Sequence, residues 1–434
     1  MLFAMGANKP QTTAVASCAA ISRNLRHFRV FLAVAELRSP TLAAERCRVS
    51  QPAVTQSLGK LEREAGGDLF ERTRQGFYLT ERGRIFEARL RRAMRRLDAA
   101  LGEITPQLRV TATTAQLQAL IAMNEAQNIS LASRNLGLAQ PTVQRAITKF
   151  ERVAARPLFE RTSFGMVATR ACRKLAQAAG LAFAEIDQAE AELAELNGHE
   201  TGRVVVGSLP LSRSVVLPEA LIRFRAARPT QQVTVIDGPY GEMLGSLRRG
   251  SIDFILGALR GPLPICDVIQ EPLFDDHLTI VARPGHPLDG RRGITFDQLV
   301  RHAWAVPRPG TPSRDQFDSL FRDRGLPQPH SILEVGSILL MRELLSRSDM
   351  LGCISGHQAE AEISKGLLVT LHTKIDWPAR AIGLTYRSGW VPTRAQGDLL
   401  DYVRDVSRQA APSRLLRQIA RPTPRIYTPD ENLM

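Results

Sequence analysis

Part of this chain is written twice. Leu69-Phe70-Glu71-Arg72-Thr73 returns as Leu158-Phe159-Glu160-Arg161-Thr162, and Gln51-Pro52-x-Val54 returns as Gln140-Pro141-x-Val143, each 89 residues later. Sliding residues 24–84 onto 113–173 at that offset needs no gap and gives 19 identities in 61 positions, among them Leu42/Leu131, Lys60/Lys149, Glu62/Glu151, Gly76/Gly165 and Thr80/Thr169. A repeat of this length is a module that folds the same way twice. The front half is therefore two related modules in tandem, and the 434 residues leave room for further domains behind them.

In the first copy Phe28, Phe31, Leu32 and Ala35 recur at helical spacing and predict an amphipathic helix. A second helix is expected over 42–48. The link Val49-Ser50-Gln51-Pro52 places Ser50 as an N-cap and Pro52 in the first turn of a third helix that runs to about Glu64. Ala53, Val54, Leu58 and Leu61 form its apolar stripe, leaving Thr55, Gln56, Ser57, Gly59 and Lys60 on the other faces. Leu69-Phe70 and Tyr78-Leu79 flank Arg72-Thr73-Arg74-Gln75-Gly76, a two-stranded hairpin with a basic tip. Two short helices on a tight link, the second bearing small polar side chains and a Lys, match what a major groove admits. Ser50, Gln51, Pro52, Thr55, Gln56, Ser57 and Lys60 are the expected groove readers, with Arg72, Thr73 and Arg74 over phosphate.

Charge agrees with that reading. The chain carries 57 Lys plus Arg against 43 Asp plus Glu, a net charge of +14. Residues 24–97 hold 16 basic and 8 acidic side chains. Such a concentration of base over a helix–link–helix pattern favours a polyanion, and duplex DNA in particular.

These residues resemble a known family. Asn24-Leu25-Arg26-x-Phe28, Ala43-Ala44-Glu45-Arg46, Ser50-Gln51-Pro52-Ala53-Val54 and Leu69-Phe70-Glu71-Arg72-Thr73, closing on Leu79-Thr80-x-x-Gly83, are similar to the winged helix-turn-helix of LysR-type transcriptional regulators. The resemblance implies a DNA-binding head, a long dimerising linker helix and a two-lobed effector-sensing domain. This chain departs from that plan by carrying the head twice.

The second copy keeps Gln140, Pro141, Gln144, Arg145 and Lys149 together with an Arg161-Thr162 wing, which permits groove reading. Elsewhere it has drifted: Val153-Ala154-Ala155-Arg156-Pro157 replaces the loop after the third helix, and Arg170-Ala171-Cys172 replaces the Thr-x-x-Gly closure. With nine basic and four acidic residues over 113–186, it is the less positive copy. Two readings stay open, DNA contact or a retired copy kept for packing or dimerisation.

Residues 84–101 read as a basic amphipathic helix, with Arg84, Arg89, Arg91, Arg92, Arg95 and Arg96 on a solvated face able to touch phosphate. A second long helix over 175–196 is rich in Ala, Glu and Leu. Helices of this kind pair through apolar seams, so a homodimer or homotetramer is expected. The predicted organisation is a loose leader (1–23, with Met5 an equally good start), head one (24–84), a basic linker helix (85–112), head two (113–173), a dimerisation helix (174–200), an effector-binding domain (201–410) and a flexible tail (411–434) rich in Pro and Arg.

From Arg203 onward β-branched runs alternate with helical stretches, which predicts two α/β lobes, each a mainly parallel sheet with helices on both faces. The chain is expected to cross between lobes at Pro284-Gly285-His286-Pro287-Leu288. This half resembles the LysR effector domain, itself similar to the two-lobed periplasmic solute-binding fold, and Ser208-Leu209-Pro210-Leu211-Ser212 and Pro307-Arg308-Pro309-Gly310-Thr311 look closest to the subgroup of galactose-binding-protein regulators. The expected fold class is thus multidomain: tandem mainly α heads with linker helices, then a two-lobed α/β domain. In such sheets ligands sit beyond the carboxyl ends of strands, at helix N-termini. Ser208, Leu209, Ser212, Thr311, Ser313 and Ser337 are the candidate effector-binding residues, with Arg260, Arg308 and Tyr386 as further contributors. The effector is a small metabolite, a sugar or an organic or aromatic acid. As ordinary N-caps, the same hydroxyls would serve the fold alone.

Catalysis finds no support. The eight His lack metal-ligand spacing, and neither a G-x-S-x-G elbow nor a phosphate-binding G-x-x-x-x-G-K-[ST] loop occurs. Asp275-Asp276-His277 reads as a turn entering a strand rather than a metal cluster. Neither cofactor nor metal is expected. Five scattered Cys and no apolar run near the ~18 residues of a membrane span point to a cytoplasmic protein on the nucleoid. A solute-binding or scaffold protein would leave the basic wing without a purpose, and its DNA affinity would be absent or indifferent to salt. An enzyme built on the α/β half would reveal itself by turnover.

Overall fold

The computed structural model describes residues 21–163, 165–261 and 266–410. The leader and the tail fall almost wholly outside them. The chain divides at Gly202 into two compact units.

Unit one contains α1 (Leu25–Leu37), α2 (Pro40–Cys47), α3 (Gln51–Glu64), β1 (Phe70–Thr73), β2 (Gly76–Leu79) and α4 (Glu81–Ile104). After a one-turn α5 (Leu108–Thr111), the same order returns as α6 (Thr114–Ala126), α7 (Ile129–Leu136), α8 (Gln140–Ala154), β3 (Phe159–Thr162), β4 (Gly165–Ala168) and α9 (Arg170–Glu195). α2 begins two residues earlier than the apolar pattern suggests, because Ser39 caps it and Pro40 takes its first position.

The repeat extends to backbone details that composition does not reveal. Arg38 and Gln127, 89 residues apart, both adopt left-handed conformations at the ends of α1 and α6. Their carbonyls accept from Phe77 N and Met166 N in the two wings. Gly76 and Gly165 sit against those same carbonyls at φ 131° and 124°, and a Cβ would lie 2.7 and 3.0 Å from the oxygens. Only glycine fits that turn without strain. Glu62 accepts from Leu69 N at 3.3 Å and Glu151 from Leu158 N at 2.7 Å, each tying a recognition helix to its wing. Ala155 holds φ 53° where Gly66 holds 75°, so the drifted loop keeps its shape.

α4 and α9 lie side by side and antiparallel. Arg82 at the start of α4 reaches Leu193 O and Asn197 Oδ1 at the end of α9 and just beyond it, while Lys174 at the start of α9 pairs with Glu103 at the end of α4. Every buried position of α4 except Leu101 recurs as a buried position of α9 at the 89-residue offset, including Phe86/Leu175, Leu90/Ala179, Met94/Phe183 and Leu97/Ile186. Phe28 and Phe31 of α1 pack on Phe86 with centroids 6.2 and 5.0 Å apart. A fully buried Phe contributes about 1.5–3 kcal/mol. One hydrophobic core runs from Ile21 to Leu193 through both heads and both long helices.

This packing revises the reading of the basic helix. Arg89 is not on a solvated face but is 2% exposed between the two helices. It donates to Glu192 at 2.5 and 2.9 Å, to Gln188 at 2.7 Å and to Glu185 at 3.3 Å. Burial works against its charge, but Glu192 and Glu185 outweigh it and raise its pKa. The seam expected between chains is thus filled within one.

Unit two contains two sheets. In the first lobe β5 (Arg203–Ser208), α10 (Val216–Ala227), β6 (Gln232–Asp237), α11 (Tyr240–Arg249), β7 (Phe254–Ala258) and β8 (Val268–Asp276) follow in order. The second lobe has β9 (Leu278–Ala282), α12 (Phe296–Val300), β10 (Trp304–Val306), α13 (Pro312–Arg322), β11 (Ile332–Glu334), α14 (Ile338–Ser346), β12 (Leu351–Ser355), α15 (Gly356–Ile363) and β13 (Val369–Thr370). The chain returns to the first lobe through β14 (Arg380–Arg387) and ends on α16 (Arg394–Ala410). Strand orders are β6-β5-β7-β14-β8 and β11-β10-β12-β9-β13. Each sheet is mixed rather than mainly parallel, because β14 runs antiparallel to β7 and β8, and β9 antiparallel to β12 and β13. Apolar clusters on both faces of each sheet confirm the helical layers.

The lobes join at His277, not at 284–288. β8 pairs with β14 up to Asp276↔Arg380, and two residues later β9 already belongs to the second sheet. Pro284 to Leu288 form a turn inside the second lobe, held by Gly285 N donating to Asp289 Oδ2 at 2.9 Å.

The second head also lacks a cap that the first has. Ser50 Oγ accepts from Ala53 N at 3.3 Å, whereas Ala139, in the same extended conformation before α8, has no hydroxyl to do so. Ala139→Ser is expected to stabilise unit one by about 1 kcal/mol, raising its melting temperature by roughly 2–4 °C in a calorimetric scan.

Candidate nucleic-acid interface and effector site

The DNA-facing candidates of head one lie on α3 and the β1–β2 wing. Ser50, Gln51, Pro52, Thr55 and Gln56 are exposed, and Lys60 is half-buried beside Glu64 at 3.7 Å. Ser50 spends its hydroxyl on the cap, and Thr55 donates to Gln51 O at 3.3 Å, the i−4 back-bond a Thr hydroxyl makes inside a helix. Ser57 departs from expectation. It is 8% exposed and donates to Ala53 O at 2.8 Å, because a 3.6-residue period puts it between Val54 and Leu61 on the inner face. It is removed from the candidates.

In the wing, Thr73 donates to Gly76 O at 3.1 Å and closes the turn, with Arg74 exposed at the tip. Arg72 is exposed but donates to Glu62 Oε2 at 2.9 Å and lies 5.8 Å from the Phe77 ring centroid. Its guanidinium is aimed by α3. Glu62 shapes the site although sequence reasoning passes over it; its recurrence as Glu151 is the signal that could have found it.

On α8, Gln140, Pro141, Gln144, Arg145 and Lys149 are all exposed. Arg145 donates to Pro141 O at 3.2 Å and Gln140 to Ser130 Oγ at 3.1 Å. Only the opposite face, with Val143, Ile147, Phe150 and Ala154, is buried.

In unit two the parallel strands β5, β6 and β7 of one lobe and β10 and β11 of the other direct their carboxyl ends toward a common region. Arg260, just past β7, bridges it by donating to Gly310 O, past β10, at 3.2 Å. Arg260 also sits 4.7 Å from the Tyr240 ring centroid at the start of α11, and its Nε is buried without an acceptor among the described residues. Arg308 lies against Gly336, at the matching end of β11.

The predicted effector residues divide. Ser208 and Ser212 are fully buried and bonded to each other at 3.0 Å; Ser212 donates to Leu209 O at 2.8 Å, leaving Ser208 as donor of the pair. Leu209 is buried over Gly257, where a Cβ would lie 2.4 Å from it. Ser313 accepts from Arg380. Thr311 and Ser337 are N-caps at the open ends of α13 and α14, accepting from Arg314 N and Leu340 N at 3.3 Å each. Tyr386 is displaced from the group. β14 is antiparallel to β7, so Tyr386 pairs with Phe254 at the far end of the sheet, and its hydroxyl donates to Glu271 at 3.3 Å.

Asp275 and Asp276 end β8 rather than forming a turn into β9. Asp276 is 2% exposed at the lobe junction. Oδ1 accepts from His357 Nδ1 at 3.0 Å and Oδ2 from Arg380 Nη2 at 3.0 Å. Burial pushes its carboxyl up, but His357 and Arg380 prevail and hold it below the usual carboxylate range. Among the described residues no group of three His, Cys, Asp or Glu side chains is placed to hold a metal ion. Burial pushes the Cys172 and Cys353 thiols up to about 12, so neither offers a thiolate at neutral pH.

The Asp276 cluster joins strands of one lobe to a helix of the other, and truncating it leaves Arg380 buried without its carboxylate. Asp276→Ala is expected to cost about 3–5 kcal/mol at pH 7 in denaturant unfolding. A carboxylate with a lowered folded pKa stabilises above its unfolded value near ~4 and loses that contribution as pH falls through the folded one. The gap between wild type and variant should therefore narrow below about pH 4.

Comparison with known proteins agrees with this architecture. The family model described as bacterial regulatory helix-turn-helix protein, lysR family, matches residues 25–84 and again 114–173, and the LysR substrate binding domain matches 197–408. The chain is 35% identical over 391 residues to the HTH-type transcriptional regulator GalR of Pseudomonas putida, covering 89% of this chain and 98% of that protein. So long a match has no room to skip either head. It is 30% identical over 278 residues to the HTH-type transcriptional regulator CbbR of Sinorhizobium medicae, covering 61% of this chain and 83% of that one. Among solved structures, a full-length OxyR variant from Pseudomonas aeruginosa superposes with a TM-score of 0.51 at 20% identity, over 68% of this chain and 96% of that one, a likeness of fold. The chain belongs to the LysR family of transcriptional regulators, DNA-binding proteins with an effector-binding domain, and it carries the family's helix-turn-helix head twice.

Proposed function

We propose that this regulator reads promoter DNA with Gln51, Thr55, Gln56 and Lys60 of α3 in the major groove and with Arg72 and Arg74 of the wing on phosphate, and that a small anionic metabolite between the lobes of unit two controls the outcome. The observation that carries the DNA reading is the exposed polar face of α3, whose inner face alone is consumed by packing. Phosphate contacts position the head and base-edge contacts specify the site. Arg260 supports an organic or aromatic acid over an uncharged sugar. A guanidinium with a buried Nε that meets no acceptor among the described residues, at the junction of strand ends, matches a carboxylate. Thr311, Ser337 and Arg308 would complete the site, with lobe closure about Asp276 shifting a two-state equilibrium by the effector's differential affinity.

The oligomer falls to unit two. Ile222, Val235 and Ile236 on α10 and edge strand β6, and Leu333, Leu339 and Leu340 on edge strand β11 and α14, are large apolar side chains left exposed, and these two edges suit a second copy of this chain. In the described residues no helix is long and apolar enough to cross a membrane, and action on a promoter places the protein in the cytoplasm.

A duplex selected from a random library with the full-length protein supplies the probe. Gln51→Ala/Thr55→Ala/Lys60→Ala should abolish its nuclease protection with the fold intact by circular dichroism; an unchanged footprint would sink the assignment. Wild-type affinity should fall steeply with added salt, roughly 10³–10⁵-fold from 50 to 200 mM for 6–10 phosphate contacts. For the oligomer, Ile222→Glu/Leu340→Glu should lower the sedimenting mass to that of one chain.

A further inference from the structure

We infer that the DNA-reading unit of this protein is a single chain: its two heads form an intrachain pair that reads two unlike half-sites on one duplex. The inference rests on the groove-reading role proposed for α3 and extends it to α8.

Three observations lead there. First, α4 and α9 pair antiparallel within one chain, and the short connection 105–113 ties the end of α4 to the start of head two. Head one therefore sits at one end of the helix pair and head two at the other. A 24-residue α4 is about 36 Å long, on the order of the ~34 Å turn that separates half-sites on one face of a duplex.

Second, the buried charges of the seam specify unlike partners. Arg89 needs Glu185 opposite it. At the 89-residue offset the α4 counterpart of Glu185 is Arg96, and the α9 counterpart of Arg89 is Ala178. Pairing α4 with a second α4 in the same register would put Arg96 where Glu185 stands, Ala99 where Gln188 stands and Glu103 where Glu192 stands, so that Arg89 would keep one carboxylate and gain a like charge, and pairing α9 with α9 would leave Glu185 and Glu192 facing Ala178. Of these pairings the heteropair alone gives Arg89 two carboxylates and a Gln acceptor without a like charge beside it, and it is favoured on that ground.

Third, α8 presents its polar face to solvent while the rest of head two packs, which is the opposite of a copy kept only as filler. Its face is related to that of α3 but not identical. Gln140, Pro141 and Lys149 repeat Gln51, Pro52 and Lys60, whereas Gln144 and Arg145 replace Thr55 and Gln56. A Gln suits adenine and an Arg suits guanine, so the second half-site should differ from the first at those positions. The operator is then asymmetric and is bound in one orientation.

The test uses full-length protein and its selected duplex. Hydroxyl-radical footprints are taken at saturating protein for wild type, Gln51→Ala/Thr55→Ala and the equivalent Gln140→Ala/Gln144→Ala, all at exposed positions, and native mass spectrometry counts duplexes per chain. We expect two protected patches about one turn apart, loss of a different patch in each variant with at least a tenfold drop in affinity, and one duplex per chain whatever the oligomeric state. Loss of both patches in the first variant and of neither in the second, with one duplex per two chains, would overturn the intrachain pair while leaving groove reading by α3 in place. Footprints untouched by the first variant would overturn both.

Discussion

Unit one is organised by the antiparallel seam between α4 and α9. Between polar bonds at its two ends it is apolar along most of its length, with buried charge where Arg89 is enclosed by Glu185, Gln188 and Glu192. Enclosing a guanidinium costs several kcal/mol of hydration, and only the facing carboxylates return it. The seam therefore tolerates little variation in what lies opposite Arg89. It also unites what would otherwise be two small modules, since both heads share its core.

Around that seam the two heads show what duplication preserves and what it releases. Backbone-determining features persist: left-handed residues after α1 and α6, glycines against their carbonyls, and glutamates that fasten each wing. Outward side chains have diverged, and so has one cap. Unit two follows a comparable economy. Parallel strand ends from both lobes meet where Arg260 reaches Gly310 O, and the junction behind them is held by Asp276 between His357 and Arg380. The hydroxyls near that region mostly serve the fold, as caps or a buried pair.

Much of this is readable from sequence because local chemistry decides it. The cap Ser50, Pro52 in a first turn, the wing turns and most strands of unit two follow from short-range pattern. Misreadings arise where neighbours distant in sequence matter. Arg89 sits in a basic stripe yet finds its partners about a hundred residues away, and Tyr386 lies on a strand whose direction only the sheet reveals, whereas the inward turn of Ser57 is already implied by the helical period of α3. β8, interrupted by Pro272 and paired across a bulge at Ile382/Gly383, shows no clean alternation to read.

The order of residues suffices to establish that two winged heads and a two-lobed α/β domain are present and that duplex DNA is the partner of the front half, since motif spacing, caps and charge are local properties of the chain. Which helix pairs with which, where the lobes join and which side chains face solvent emerge only when the folded chain is in view. Those outcomes depend on burying particular surfaces and charges against segments about a hundred residues away or more, and a stretch of sequence carries no record of what will cover it.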